Sequence, residues 1–172
     1  MTVKKEDYSV KNVKTFQGME GEGFNASLYR KNKKVAFVID EGSGGDFLYE
    51  WNDRNKEEVD IHVITRQGEK HTFKGTPEEK KFYELVETFP SETIDLGGKD
   101  HEMKVSVDMF VGELIDKYEF QKLTKKNYLF QIGDDIGTDN YQVIKKKPGI
   151  TKERVEQYIK QKYPKKKYKL LG

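Results

Sequence analysis

The chain has 172 residues, 34% of them hydrophobic and 36% charged, with a formal net charge of +2 and no cysteine. A chain of this length can form one domain that buries about 70% of the surface its unfolded form exposes, and ten Tyr, ten Phe and one Trp supply apolar area that disordered chains lack. The missing cysteines exclude disulfides, thiolate nucleophiles and Cys-ligated zinc or iron–sulfur centres, and they fit a reducing compartment.

The opening MTVKKEDYSV carries charges without the apolar run of a signal peptide, and nowhere do eighteen apolar residues follow one another. The expectation is a cytoplasmic protein with no membrane segment. The small net charge hides an asymmetry. Residues 141–172 hold eleven Lys/Arg against two Glu, a net of +9, which leaves −7 for residues 1–140. An acidic body with a basic end is suited to a polyanion, to an acidic partner surface or to its own body.

In chain order, residues 1–12 are polar, and order is expected from Val13. The stretch from Phe16 to Trp51 holds six of the fifteen glycines and reads as a tight antiparallel meander. Its predicted strands are Val13–Gln17, Phe24–Tyr29, the nearly continuous apolar Val35–Asp40, and Asp46–Trp51, with Phe47, Tyr49 and Trp51 on one face and Leu48 on the other. Val59–Thr65 and Lys70–Lys74 read as a hairpin around Gln67-Gly68 that brings the sheet to five or six strands. Thr76, Pro77 and Glu79 form a capping signature. The helix it opens carries Phe82, Leu85, Val86 and Phe89 as one stripe and stops at Pro90.

The second half reads as a smaller hairpin, Ile94–Leu96 and Met103–Val107 about Gly97-Gly98. A helix from Met109 to Leu123 follows, capped by Asp108, with Val111, Leu114, Ile115 and Tyr118 on one face. Strands Tyr128–Ile132 and Tyr141–Lys145 are joined by the acidic GDDIGTDN. The last helix starts at Thr151 with Val155, Tyr158, Ile159 and Tyr163 on one side, ends at Pro164, and is followed by a short strand within Lys165–Leu171. The order predicts a single α+β domain, mainly antiparallel, with about three helices and a possible subdivision into 1–90 and 91–172.

Few clusters carry chemistry. Gly18, Gly21 and Gly23 lie between strands rather than opening a helix, and Glu20 and Glu22 would repel a phosphate, so the hairpin reading holds. Asp40, Glu41 and Asp46 beside Gly42, Gly44 and Gly45 offer fewer oxygens than a hard cation needs, and read as a solvated acidic turn or as an acidic finger for a basic partner. His62, His71 and His101 match no zinc spacing. Asp95 with Glu102 and Lys104 loosely approximates the carboxylate-plus-lysine set of divalent-metal nucleases. The basic end places Lys145, Lys146 and Lys147 before the last helix and Lys165, Lys166 and Lys167 after it, with Tyr158, Tyr163 and Tyr168 interleaved. Phosphate backbones attract such clusters, and tyrosines stack on bases.

The runs Gly18–Arg30 and Lys34–Gly45 together resemble a glycine-rich hairpin pattern of small uncharacterised proteins of bacteria, phages and mobile elements. The resemblance covers the first third of the chain and brings no catalytic residue. It implies an accessory protein, and small acidic or charge-polarised proteins of that setting often act as stoichiometric inhibitors of host machinery or host defence. The first expectation is therefore a non-enzymatic interaction protein with a protein partner. That partner would be bound through Glu20, Glu22, Tyr29, Asp40, Glu41, Asp46, Tyr49 and Trp51, with no cofactor, metal or catalytic residue. The alternatives are a nucleic-acid binder using Lys145, Lys146, Lys147, Lys165, Lys166 and Lys167, and a divalent-metal-dependent nuclease.

Overall fold

The computed structural model describes residues 3–52, 57–64, 69–95 and 97–172. The fold is α+β, and every strand pairing described is antiparallel. By its internal contacts the chain divides into two compact units, Met1–Tyr118 and Glu119–Gly172.

In the first unit β1 (Tyr8–Gln17), β2 (Glu22–Arg30), β3 (Lys33–Asp40) and β4 (Leu48–Trp51) form a four-stranded meander in chain order. β1 begins at Tyr8, well ahead of Val13, because Tyr8 and Val10 already alternate into the core. Two bulges adjust which residues face inward. Between Lys11 and Lys14 the register shifts, with Asn12 at φ 56°, and Val13 is buried. Between Leu28 and Tyr29 the extra residue of β3 is Val35, buried together with Ala36.

The inner face of this sheet is covered by α1 (Pro77–Val86) and by the first turns of α2 (Val107–Lys126). Phe82 and Phe110 lie fully buried at the centre, stacked at 5.6 Å, with Tyr8 set edge-on to both. α1 starts as its sequence dictates. Thr76 Oγ1 accepts from the Glu79 N–H at 3.1 Å, and the Glu79 carboxylate accepts from the Thr76 N–H at 3.2 Å. α2 departs from expectation at its cap. Ser106 Oγ accepts from the Met109 N–H at 3.2 Å, so Ser106 is the cap. Asp108, already inside the helix, instead accepts from the Phe47 N–H at 3.1 Å and from the Tyr49 hydroxyl at 2.7 Å, which ties α2 to β4.

The hairpin β5 (Val59–Ile64) and β6 (Lys70–Gly75) does not extend the meander to five or six strands; it is a separate two-stranded sheet. Its apolar side serves α1, with Phe73 set edge-on to Tyr83 at 5.4 Å. The expected Gln67-Gly68 turn lies outside the described residues, as does Leu96. β7 (Glu92–Asp95) and β8 (Asp100–Met103) form the second small hairpin, turned by Gly97 and Gly98 at φ 69° and 83°; the return strand ends at Met103, where the expected one began, and Val107 already opens α2.

In the second unit β9 (Asn127–Ile132) is the central strand of three, between β10 (Gln142–Lys145) and β11 (Tyr168–Leu171). α3 (Lys152–Lys162), capped by Thr151, lays Val155 and Ile159 on Phe130 and Ile132. Tyr163 belongs to this packing, but Tyr158, expected on the same stripe, is exposed. The buried Gln131 satisfies its amide on the acidic loop, donating to Thr138 O and Asn140 O and accepting from the Gly137 N–H. Among the described residues no helix is long and apolar enough to cross a membrane.

Candidate functional site

Two surfaces concentrate the residues singled out from the sequence, one in each unit. The first is the corner where the β1–β2 turn meets the β3–β4 connection. Gly42 sits at φ +66°, and a Cβ on Gly18 would come 2.8 Å from Gly42 Cα, so two backbones cross where no side chain fits. The crossing is laced by hydrogen bonds from the Gly18 N–H to Gly21 O at 2.7 Å and from the Glu20 N–H to Gly42 O at 2.9 Å. Asp40 is committed to the same turn, its Oδ1 accepting from the Gly42 N–H at 2.8 Å. The corner therefore holds Glu20, Glu22 and Glu41 exposed, with exposed Asp46 on the same connection. None of these four is ion-paired among the described residues. Met19, at the tip between them, is 96% exposed.

The aromatic anchors expected beside this corner are placed differently. Tyr49 and Trp51 stack on each other at 5.8 Å and tilt against Phe82, half-buried on the core side of β4. Burial, with the Asp108 carboxylate beside it, pushes the Tyr49 hydroxyl far above its ordinary pKa, so it stays a donor. Tyr29 is on the opposite face, half-buried, with Lys11 Nζ 4.6 Å from its ring centre. Leu48, 51% exposed, is on that outer face as its alternation requires.

The second surface is the basic one, and its two lysine runs do not come together. Lys145 pairs with Asn127 at the start of β9, whereas Lys165, Lys166 and Lys167 lead into Tyr168, which pairs with Ile132 at its end. At the rise of an extended strand the two clusters stand about 17 Å apart. At the first, Lys146 Nζ donates to Thr124 O at 2.7 Å and lies 4.9 Å from the Tyr128 ring centre. It lines a groove of about 410 Å³ with Lys125, Lys152, Asn127 and Tyr128, and no Asp or Glu side chain lines it. Three of the carbonyls that end α2 and would repel an anion there accept hydrogen bonds: Leu123 O from the Asn127 side chain at 2.9 Å, Thr124 O from Lys146 Nζ, and Lys126 O from the Lys146 N–H at 2.9 Å. Lys125 and Lys152 were not singled out from the sequence. The Lys125-Lys126 pair closing a helix was the available signal, but only folding sets it beside Lys146.

At the other end Lys165, Lys166 and Lys167 line a pocket of about 480 Å³ with Gly133, Asp134 and Ile136. Just before them, the last turn of α3 presents Tyr158, Lys162 and Tyr163. Lys162 Nζ donates to the Tyr158 hydroxyl at 2.8 Å, which, with the two nearby phenols, holds the ammonium above its ordinary pKa. Tyr163 OH lies 3.2 Å from Gln142 Oε1 and fixes this end of α3 to β10.

The pairing of cations differs sharply between the units. In the first, six of the fifteen described Lys/Arg, namely Lys5, Arg30, Lys74, Lys80, Lys81 and Lys104, each meet a carboxylate. In the second, Lys122 with Glu119 is the one such pair among the described residues, and Lys145, Lys146, Lys147, Lys165, Lys166 and Lys167 have none.

The remaining candidates are scattered. His62 meets Thr72 at 2.9 Å, His71 stacks near Phe73, and His101 is exposed on β8. Among the described residues no three His, Cys, Asp or Glu side chains converge to hold a metal ion. Asp95 is opposite Asp100 and accepts from the Gly98 N–H, Glu102 is opposite Thr93, and Lys104 pairs with Glu87. No protein-family model, no curated protein and no solved structure matches the chain.

Proposed function

We propose that the protein acts by binding, and that its second unit is a polyanion-binding module directed at nucleic-acid phosphates. The observation that carries this reading is the lysine surface at both ends of β9, none of whose lysines is ion-paired among the described residues, whereas six of the fifteen described Lys/Arg of the first unit meet a carboxylate. Glu119–Gly172 holds fourteen Lys/Arg against six Asp/Glu, a net of +8. Unpaired lysines attract phosphates because each contact releases condensed counterions. Retention on immobilised heparin and mobility shift of labelled DNA and RNA at low salt test it. The parent is expected to be retained, and the Lys165→Glu, Lys166→Glu, Lys167→Glu triple variant to elute at clearly lower salt. Flow-through of the parent at low salt dismisses the reading.

A second reading, a protein partner docked on the first unit, is supported by Met19, an apolar side chain almost fully in solvent on a corner held by backbone crossing and ringed by unpaired acids. Partner surfaces place such an anchor within a charged rim that sets approach and register. The stoichiometric inhibitor implied by the hairpin resemblance is the form this reading takes. Affinity capture from a bacterial lysate is expected to yield one stoichiometric protein that survives nuclease treatment and is lost with Met19→Asp. Capture that vanishes with nuclease counts against it.

A further inference from the structure

Tyr158 is the aromatic of α3 that the core does not use. Val155, Ile159 and Tyr163 fill the contact with the three-stranded sheet, and Tyr158 is left 43% exposed. Its surroundings are cationic: Lys162 one turn on, then Lys165, Lys166 and Lys167 in the turn that follows, where the Lys166 N–H donates to Tyr163 O at 3.1 Å. Lys162 Nζ is 2.8 Å from the Tyr158 hydroxyl and 5.3 Å from the ring centre. The 2.8 Å from ammonium to hydroxyl oxygen and that oxygen's own distance from the ring centre nearly sum to the 5.3 Å, so the ammonium lies beyond the hydroxyl edge and leaves the ring faces clear of it. Two tethers hold the site. Tyr163 OH meets Gln142 on β10, and the Gly133 N–H donates to Lys167 O at 2.9 Å, so both flanks of the lysine turn are joined to the sheet.

An open aromatic face beside several unpaired cations is matched by a ligand that offers a flat unpaired base and a phosphate on the same short segment. A duplex has its bases stacked internally and cannot present one to an outlying ring; a single strand can. We propose that the carboxyl-terminal end of α3 is a stacking site for one unpaired base of single-stranded nucleic acid, with Tyr158 as the platform and Lys162, Lys165, Lys166 and Lys167 on the adjoining phosphates. This rests on the polyanion reading and narrows it to single strands.

The test uses the full chain and fluorescence anisotropy with labelled oligothymidine and oligouridine of about 15 nucleotides, a length covering a usual single-strand site, and a duplex of equal length. Tyr158→Ala is expected to weaken single-strand binding about 5- to 150-fold, the range of one lost base–aromatic stack, while duplex binding stays within about twofold. Tyr158→Phe keeps single-strand affinity because the ring face, not the hydroxyl, does the stacking. Since Tyr158 is outside the core, both variants are expected to melt with the parent. Equal weakening of single strand and duplex by Tyr158→Ala, or no weakening of either, overturns the stacking site while heparin and duplex retention leave the polyanion reading standing. A parent that binds none of the three probes overturns both. Tighter binding of oligouridine than of oligothymidine assigns the site to RNA, and the reverse to DNA.

Discussion

The most constrained charged pair in the first unit is Arg30 with Glu78, which joins β2 to α1 through two hydrogen bonds of 2.8 and 2.6 Å. Both side chains are largely shielded, at 21% and 12% exposure, so water screens the pair less than it does the surface pairs. The hydrogen bond from Arg30, helped by Lys81 and opposed by desolvation, holds the Glu78 carboxyl at about 2, below its ordinary 4.5. Because the folded value lies below the unfolded one, the stabilisation is complete above about pH 4.5 and is lost as pH falls toward 2. Glu78→Gln is expected to cost about 2 kcal/mol at neutral pH, the scale of a hydrogen bond to a charged group. The parent should lose stability relative to this variant between pH 4.5 and 2, as thermal melts across that range would report. Neither partner was legible as a pair in the sequence. They are 48 positions apart, and only the return of α1 over the sheet brings them together.

At the scale of elements, local signals and packing contribute differently. The α1 capping box was readable from Thr76, Pro77 and Glu79, because every bond in it is made within four residues. The cap of α2 was misread, since Ser106 and Asp108 have equally suitable side chains and Asp108 was claimed by β4 from across the fold. The glycine corner shows the same division. Its turns were expected, but the crossing of Gly18 with Gly42 depends on the sheet register. Gly42→Ala places a Cβ 2.8 Å from Gly21 O on a residue at φ +66°, whereas Gly97→Ala, at φ +69°, meets nothing within 4 Å. Both incur the left-handed backbone penalty of about 1 kcal/mol, and Gly42→Ala is expected to lose clearly more through the added clash. Urea unfolding midpoints of the two variants measure the difference; equal losses would mean the corner is not crowded.

At the scale of the whole molecule, charge is distributed by unit, and salt dependence is the corresponding measurement. If the lysine turn contacts phosphates, the logarithm of the single-strand binding constant falls linearly with the logarithm of salt concentration, at about 0.7 per phosphate contacted. Neutralising Lys165, Lys166 and Lys167 with Gln is expected to lower that slope by about 2. An unchanged slope would place the contacts elsewhere, the groove of Lys125, Lys146 and Lys152 being the other cationic station. By itself, the order of residues determined the α+β class, the antiparallel hairpins, the helix α1 with its cap and the basic character of the last segment. These depend on periodicity, turn chemistry and composition, all of which act over a few positions. Only the tertiary structure decided that the β5–β6 hairpin stands apart from the meander, that Tyr49 and Trp51 turn inward while Tyr158 turns out, and that the two lysine runs occupy opposite ends of one strand. Those outcomes depend on which distant apolar faces compete for the same core volume, and that competition is resolved when the elements pack.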